Sequence, residues 1–334
     1  KMIDLRNRKI LFISPKAFGY EKGIKTRLEE LGAVVDYYDD RPSNGFWGKA
    51  LLRVKRNLVQ VQIERYYHGL YELLVERICD YDDFFLLNLE AMPIWFLDQI
   101  REKKKASANI ILYMWDSFRN KPHAKDYIPY CDRVITFDPA DQKENARIEF
   151  RPLFYLNEYA QIAQRNHITY VLSFIGTAHS DRFGIARKVK NQVEESGLRT
   201  YFYFFLQSRK LFFYQKLTNK NFKGTGISDF MYRALSSEEV MEVVASSMTV
   251  LDIQHPKQTG LTMRTIEMLG AKRKLITTNP AVKEYDFYNP QNILVIDRDN
   301  PIIERSFFES SYCPISKDLY HKYSLDGWLE YIFK

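Results

Sequence analysis

Short apolar runs alternate with amphipathic segments along the first half of the chain. Apolar runs bounded by polar residues predict buried strands, and apolar residues spaced three or four positions apart predict helices. Strands are predicted at 9–14, 33–38, 84–88, 109–114 and 134–137, and helices at 23–32, about 48–79 and 93–104. Alternation at this spacing indicates a parallel sheet covered on both faces.

The same pattern restarts near residue 169. Strands are predicted at 169–176, 200–207, 248–253, 274–279 and 292–297, and helices at 181–197, at 236–247 and from 260 onward. Ser236 and Glu239 have the spacing of a capping box. We therefore expect an α/β protein with two Rossmann-like domains facing across a cleft. The expected domains are 1–160 and 161–334, with a hinge at 151–167 and a final segment that can return to the first domain.

Composition and charge narrow the possible partners. The chain is 46% apolar and 15% aromatic, which is ample for two cores. Three scattered cysteines, Cys79, Cys131 and Cys313, have neither disulfide nor zinc spacing and fit a reducing compartment. No apolar run is long enough to span a membrane, and the start has no signal-peptide pattern, so we expect a cytoplasmic protein. The net charge of +7 suits an anionic partner: nucleic acid, an acidic membrane surface or a phosphorylated small molecule.

One helix start carries an unexpected charge. In HPKQTGLTMRTIEMLGAKRKLITTN, residues 255–279, Arg264 falls in the first turn of a helix predicted to begin near Gly260. Free amides already make a helix start electropositive, so an anion is expected nearby. The alternative is an ordinary surface salt bridge to Glu267, three residues on. The basic cluster 272–274 is expected to be a solvated cap at the other end of this helix.

These residues resemble a known family. Gly260-Leu261, Glu267 and Gly270-Ala271, placed after a strand, resemble the donor-binding region of GT-B glycosyltransferases. Together with FIGTAHSDR (174–182) and EYDFYNPQNILVID (284–297), they resemble the CgeB-like glycosyltransferases of bacterial capsule and lipopolysaccharide gene clusters. The similarity extends over most of the chain.

The resemblance implies roles for particular residues. Glu267 matches the glutamate that binds the nucleotide ribose, and Arg264 would stabilise the leaving diphosphate. Thr259 occupies the position where retaining members of related families carry another acidic residue, so the stereochemical outcome is open. The implied donor-binding set is Gly176, Thr177, Arg182, His255, Gln258, Thr259, Gly260, Leu261, Thr262, Arg264 and Glu267. His179 and His255 are expected either to bind phosphate or sugar or to be structural.

A general base for an inverting transfer is expected in the N-terminal half. It must be a carboxylate or histidine that reaches the acceptor hydroxyl. Asp116 and Glu90 follow predicted strands and are the candidates, with Asp116 ranked first. Either is alternatively a helix cap or a hydrogen-bonded loop carboxylate.

Two further features have competing interpretations. The DRD at 297–299 mimics a metal-binding D-x-D motif, but aspartate is common at strand boundaries, so no metal is expected. Segment 44–77 mixes aromatic residues with Lys49, Arg53, Lys55, Arg56 and Arg65. It suits an anionic membrane or nucleic acid, although no nucleic-acid motif accompanies it, and it is otherwise a solvated helix face.

The sequence thus predicts a metal-independent glycosyltransferase. It would move a sugar from a nucleotide-sugar donor to a bacterial surface glycan, such as capsule, O-antigen or lipopolysaccharide, with a glycan or lipid-linked glycan acceptor. We expect it in the cytoplasm, at the inner face of the cell membrane, with no nucleic-acid partner. The alternatives are a nucleotide-sugar epimerase or hydrolase of the same fold, and a non-catalytic protein that binds polyanions or membranes.

Overall fold

The computed structural model of the chain describes residues 3–42, 59–178, 181–255 and 260–334. The chain divides into two compact units. Unit 1 comprises Lys1–Leu153 and Leu325–Lys334, and unit 2 comprises Phe154–Ser324. The chain therefore passes from one unit to the other twice.

Unit 1 contains a six-stranded parallel sheet. Its strands are β1 (Lys9–Ser14), β2 (Val34–Asp39), β3 (Asp83–Leu87), β4 (Asn109–Met114), β5 (Arg133–Thr136) and β6 (Ile148–Phe150). The strand order is β2-β1-β3-β4-β5-β6. All five pairings are parallel, with Ile10 opposite Val35 and Asp83 on its two sides. The direction of the order reverses between β1 and β3, which makes their carboxyl ends a switch point.

The helices of unit 1 cover this sheet. They are α1 (Tyr20–Glu30), α2 (Gln60–Leu74), α3 (Ile94–Lys103), α4 (Pro139–Glu144) and α12 (Leu325–Ile332), with 3-10 turns at Val75–Asp80 and Pro122–Tyr130. Buried residues of α2 and α3 join those of β3 and β4 in one apolar core. Because the central strands are buried on both faces, they are continuous apolar runs rather than alternating ones.

The helix α12 completes unit 1 although it follows unit 2 in sequence. Trp328 is fully buried, with its ring centroid 4.9 Å from that of Tyr113 and 5.8 Å from that of Phe85. Arg27 of α1 makes a two-pronged ion pair with Asp326, at 2.6 and 2.9 Å. An aromatic anchor and a paired arginine thus fix α12 on the N-terminal sheet.

Unit 2 contains a five-stranded parallel sheet. Its strands are β7 (Tyr170–Thr177), β8 (Thr200–Phe205), β9 (Ser247–Asp252), β10 (Lys274–Thr277) and β11 (Ile293–Val295). They lie in the order β11-β10-β9-β7-β8. The switch point of this sheet lies between β7 and β9, so their carboxyl ends are where a ligand of an open α/β sheet binds.

The helices of unit 2 are α5 (Asn157–Ile162), α6 (Arg182–Glu195), α7 (Arg209–Thr218), α8 (Ser237–Ala245), α9 (Met263–Ala271), α10 (Ser306–Glu309) and α11 (Lys317–Lys322). The 3-10 turns are Lys220–Phe222, Ile227–Asp229 and Pro280–Glu284. Phe183 and Ala186 of α6 and Phe212 of α7 pack with strand residues such as Phe174 in one core. The predicted capping box is formed at the start of α8, because the Ser236 hydroxyl accepts from the Glu239 amide and the Glu239 carboxylate accepts from the Ser236 amide.

Gly270 allows α9 to pack closely against the side chain of Tyr155. A β-carbon added at Gly270 of α9 would lie 2.4 Å from Cγ of Tyr155. The hydroxyl of Tyr155 donates to the Tyr320 carbonyl at 2.8 Å, and the hydroxyl of Tyr320 donates to the Gly270 carbonyl at 2.5 Å. The glycine therefore lets the end of α9 pack against the Tyr155 ring, while the Tyr320 hydroxyl binds its carbonyl.

The prediction of two α/β units with parallel sheets is confirmed. Each predicted strand has a counterpart whose ends differ by at most two residues, and β6 was not predicted. The predicted helix at 48–79 falls partly outside the described residues, and its described part is α2 followed by a 3-10 turn. The helix expected from Gly260 begins at Met263, because Thr262 is its N-cap. No helix in the described parts of the chain is both long and apolar enough to cross a membrane.

Candidate functional site

Arg182 links the two strand ends at the switch point of unit 2. Its Nη1 donates to the Thr177 hydroxyl at the end of β7, at 2.9 Å, and its Nε donates to the Ile253 carbonyl just after β9, at 3.0 Å. Burial lowers the pKa of this guanidinium from its ordinary value. Gly176, beside Thr177, has the Phe174 ring against its open side, 2.6 Å from where a β-carbon would lie. The predicted residues Gly176, Thr177 and Arg182 therefore meet at one point.

Asp252, the last residue of β9, is the buried carboxyl group of this site. Its carboxylate accepts hydrogen bonds from the hydroxyls of Thr262 and Thr265, the latter at 3.2 Å. Burial raises the pKa of Asp252, and the positive charges of Arg264 and Arg182 oppose that rise. Asp252 was not among the residues predicted from the sequence. The one available signal was an acidic side chain at the carboxyl end of a buried central strand.

The start of α9 is tied to Asp252 through Thr262. The Thr262 hydroxyl accepts from the Thr265 amide, which caps the helix, and donates to Asp252. Before it, Leu261 is buried, and the Gly260 carbonyl accepts from the Asn279 side chain at 3.3 Å. Three of the predicted loop residues thus hold the end of the loop in place.

Arg264 is paired with Glu267 within the helix. Nη1 of Arg264 lies 3.1 Å from Oε2 of Glu267, and the two side chains are 23% and 8% exposed. The hydroxyl of Tyr159 on α5 forms hydrogen bonds with both side chains, and burial followed by the charge of Glu267 raises its pKa. The salt bridge is therefore formed, but it is mostly buried rather than an ordinary surface pair. A bound anion is not required to explain Arg264.

The DRD segment has a structural role that centres on its arginine. Arg298 makes a two-pronged ion pair with Asp181, at 2.9 and 3.0 Å, and its Nη1 donates to the Gln254 carbonyl at 3.1 Å. Asp297 accepts from the amides of Asp299 and Asn300 at 2.8 Å each, as in an Asx turn. Across the described ranges, no three His, Cys, Asp or Glu side chains are grouped to hold a metal ion. Metal independence remains a prediction.

The expectation of a solvated cap at 272–274 is wrong for two of its three residues. Arg273 is buried and its Nη2 donates to the carbonyls of Arg165 and Ala245, at 2.8 and 3.0 Å. Lys274 is also buried, and its Nζ donates to the Phe307 carbonyl and to Ser310. Both side chains donate to carbonyls of segments distant in sequence, and these hydrogen bonds replace the water that the buried cations lack.

Some predicted donor residues are not in the described part of the chain. His179, Gln258 and Thr259 lie outside it, so their assignments stay predictions. His255 is described and is exposed on the loop after β9.

The two candidate bases of unit 1 share one lysine. Nζ of Lys121 lies 2.6 Å from Oε1 of Glu90 and 3.0 Å from Oδ2 of Asp116. Glu90 is 10% exposed and also lies 3.3 Å from Arg41, whereas the Asp116 side chain is 45% exposed. Asn88 donates to Asp116 at 3.1 Å and accepts from its amide at 3.0 Å. Asp116 is therefore the more accessible carboxylate, and Glu90 is held between two cations.

A buried carboxylate shapes the loop that carries Glu90. Asp40 has no exposed surface and accepts from the amides of Glu90, Ala91 and Met92, at 2.5, 2.8 and 3.0 Å. The Tyr67 hydroxyl adds a fourth hydrogen bond to the same side chain, at 2.7 Å. Asp40 thus fixes the backbone just after β3, and nothing in the sequence pattern distinguishes it from its neighbour Asp39.

The predicted basic face at 44–77 is described only in its second part. Lys49, Arg53, Lys55 and Arg56 lie outside the described residues. The described part, α2 and the turn after it, carries glutamates as well as cations, and Arg77 pairs with Asp36 at 2.6 Å. The described part is therefore of mixed charge, and the membrane hypothesis for this segment depends on its first part.

Solved structures share the architecture of both units along nearly the whole chain. An alpha-glucosyltransferase in complex with UDP and a 13-mer DNA matches with a TM-score of 0.58 at 11% identity, covering 98% of this chain and 100% of its own. HepE of Anabaena, in complex with UDP and glucose, matches with a TM-score of 0.55 at 12% identity, covering 98% and 99%. The fold is GT-B. Sucrose-phosphate synthase from Thermosynechococcus elongatus, at 0.56 and 10% identity over 88% and 87%, shares the GT-B fold.

Other comparisons give no further relatives. No protein-family model matches the chain, and no curated protein matches it. At identities of 10–12%, the structural matches establish the GT-B fold and leave the activity to be argued from the site.

Proposed function

We propose that the chain is a glycosyltransferase that uses a nucleotide-sugar donor. The observation that carries the proposal is the convergence of Thr177, Arg182 and Arg264 at the carboxyl ends of β7 and β9. This edge is the ligand-binding edge of an open α/β sheet, and a helix start there favours phosphate. The GT-B fold, found in proteins with UDP bound, supports the same assignment.

In the proposed complex the donor lies on unit 2. The diphosphate lies against residues 259–264, which include Arg264, and the ribose hydroxyls bind the Glu267 carboxylate. The Arg264–Glu267 pair supports this arrangement in a specific way. Arg264 orients the carboxylate through one oxygen, and its own partial exposure leaves it accessible to phosphate. In the ligand-free protein, the buried Asp252 carboxyl group interacts electrostatically with both Arg182 and Arg264.

The acceptor is assigned to unit 1. Its hydroxyl oxygen attacks the anomeric carbon of the donor, and the bond from that carbon to the diphosphate breaks with both electrons leaving on the diphosphate. The hydroxyl proton passes to a carboxylate, for which Asp116 is the better placed candidate because of its exposure. The cations near the diphosphate stabilise the leaving group, and no metal is part of the proposal.

The acceptor class follows from the resemblance to capsule and lipopolysaccharide enzymes. We assign a bacterial surface glycan or lipid-linked glycan as acceptor and the inner face of the cell membrane as the site of action. The basic first part of segment 44–77 is assigned the membrane contact, and the net charge of +7 supports an anionic surface.

Calorimetric titration with UDP and other nucleoside diphosphates tests the donor assignment. We expect Arg264→Gln to weaken diphosphate binding about 10- to 100-fold, the scale of a hydrogen bond to a charged group. Because Arg264 is paired with a mostly buried glutamate, we also expect a loss of stability of about 1–3 kcal/mol. Glu267→Gln is expected to weaken binding of ribonucleotides more than that of 2′-deoxyribonucleotides.

Arg233→Gln is the matched control, because it also breaks an Arg–Glu pair of unit 2, at 2.7 Å, but lies elsewhere on its surface. It should leave nucleotide affinity unchanged. Intact affinity in Arg264→Gln would make Arg264 a structural ion-pair partner only. A separate assay distinguishes a transferase from a hydrolase or epimerase. A transferase should consume the nucleotide sugar only when a glycan acceptor is added.

A further inference from the structure

The helix α7 has apolar residues on two opposite faces. Phe212 is buried and packs in the core of unit 2. On the other side, Phe213, Tyr214 and Leu217 are 58%, 61% and 88% exposed. Residues four apart share a helix face, so Phe213 and Leu217 lie side by side with Tyr214 next to them. A contiguous exposed group of large apolar side chains is a candidate interaction surface.

The same segment is strongly and uniformly basic. Residues 208–223 contain five cations and neither aspartate nor glutamate; the cations are Arg209, Lys210, Lys216, Lys220 and Lys223. Lys216 donates to the Thr225 carbonyl at 2.8 Å, and Arg209 lies 5.9 Å above the Tyr232 ring. Lys210, Lys220 and Lys223 are exposed, and no carboxylate among the described residues pairs with them. We call Phe213, Tyr214, Leu217 and these three lysines the α7 patch.

We propose that the α7 patch binds an anionic lipid surface, with α7 lying in the plane of the interface. Exposed aromatic and aliphatic side chains on one helix, flanked by lysines, are the composition of an interfacial helix. Phe213 and Leu217 enter the boundary between headgroups and acyl chains, while the lysines meet the phosphates of anionic lipids.

The charge and shape of the α7 patch favour lipid over the other occupants. A second copy of the chain would bring two sets of like charges together, which opposes association. Single-stranded nucleic acid binds through stacking on aromatic rings, yet the most exposed residue here is the aliphatic Leu217. Lipid satisfies both halves of the patch at once.

The proposal is independent of the donor site. The strand before α7, β8, is at the edge of the sheet, whereas the donor site is assigned to β7 and β9. The patch also belongs to unit 2, whereas segment 44–77 belongs to unit 1. Vesicle binding can therefore be measured without any donor, acceptor or turnover.

The experiment is co-sedimentation of the full chain with vesicles of phosphatidylcholine, alone or mixed with phosphatidylglycerol. We expect binding to the anionic vesicles and partial release as salt rises. Phe213→Ser with Leu217→Ser should weaken binding at least about tenfold. Lys210→Glu with Lys220→Glu and Lys223→Glu should weaken it about 100-fold. All of these residues are exposed, so the thermal midpoint should stay close to that of the parent chain.

Matched control variants carry the same kinds of substitution at exposed residues outside the α7 patch. Val61→Ser with Ile302→Ser removes two other exposed apolar residues, and Lys143→Glu with Lys283→Glu and Lys317→Glu removes the same charge. Both should bind like the parent chain. Brominated lipid chains should quench the fluorescence of the tryptophan added by Leu217→Trp. They should not quench that of the tryptophan added by Ile302→Trp.

Several results would overturn the proposal. These are equal binding to neutral vesicles, unchanged binding of the α7 variants, and loss of binding in the control variants. A concentration-dependent dimer that disappears in the Phe213 and Leu217 variant would show self-association instead. Binding to an oligonucleotide that competes fully with vesicles, without quenching by brominated lipid, would assign the patch to nucleic acid.

Discussion

At the scale of single residues, Asp116 and Glu90 differ in how their surroundings hold them. Asp116 is partly exposed and accepts from Asn88, whereas Glu90 lies between Arg41 and Lys121. We expect Asp116→Asn to lower kcat by about 100-fold or more, the usual effect of removing a general base. Donor affinity and thermal midpoint should stay near those of the parent chain. Steady-state kinetics with separate donor titrations measure the two effects.

Glu90→Gln is the informative comparison. It removes the shared anion of two mostly buried cations, so a loss of stability should accompany any loss of activity. Full turnover by Asp116→Asn would transfer the role of the base to another residue. If both variants fold normally and only Glu90→Gln is inactive, Glu90 takes that role.

Residue identity alone predicts part of the candidate site. The sequence places Thr177, Arg182 and Arg264 at strand ends or helix starts, and the structure brings Arg182 and Arg264 to Asp252. Asp252 itself was missed because it lies inside the predicted strand 248–253 and belongs to no recognised motif. Its importance arises from Thr262 and Thr265, which reach it only when the following loop is folded.

At the scale of elements, Gly270 sets how closely α9 packs. An alanine there places its β-carbon 2.4 Å from the Tyr155 ring, so the ring or the helix must shift. We expect Gly270→Ala to destabilise the protein by about 1–3 kcal/mol, which thermal or urea unfolding would show. Gly69→Ala, in α2 with nothing within 4 Å of the new β-carbon, should instead be neutral or stabilising by up to about 1 kcal/mol. Equal effects at the two positions would contradict this packing argument.

A second element-scale prediction concerns pH and α12. Arg133 holds Glu149 through two hydrogen bonds at 2.8 and 2.9 Å, and Tyr331 of α12 adds a third at 2.8 Å. These contacts lower the pKa of Glu149 from 4.5 to about 2. A lowered folded-state pKa stabilises the protein above the unfolded value of 4.5 and less as the pH falls toward 2.

Urea unfolding of the parent chain and of Glu149→Gln checks this sign. The stability difference should be about 1–2 kcal/mol near neutral pH, after allowance for solvent screening. It should shrink steadily between pH 5 and the acid limit of folding. A difference that is constant with pH would show that hydrogen-bond shape, rather than the charge of Glu149, accounts for it.

Short buried strands were the elements that the sequence predicted well, because they are continuous apolar runs between polar residues. Ten of the eleven strands in the described residues were predicted in this way, and the short edge strand β6 was not predicted. By contrast, α7 was not predicted, because apolar residues on both of its faces hide the helical period. The burial of Arg273 and Lys274 was also missed, since their carbonyl partners come from segments far away in sequence.

At the scale of the whole molecule, the alternation of strands and helices was sufficient to predict two α/β units. Its physical basis is that parallel strands need crossover helices, which leave a period in the sequence. The boundary between the two sheets is also indicated by the sequence, because no strand is predicted between residues 137 and 169. The sequence pattern does not show which unit α12 packs on, because its apolar residues would suit either sheet. The structure assigns it to unit 1 through the contact of Trp328 with Tyr113.

The position of α12 has a consequence for synthesis on the ribosome. All of unit 2, residues 154–324, is made between the last strand of unit 1 and Trp328. At about 5–20 residues per second, the N-terminal sheet waits roughly 10–30 s for this residue. During that time Tyr113 and Phe85 lack the tryptophan that covers them, and Arg27 lacks Asp326. The unit that the ribosome makes first is therefore the unit that is completed last.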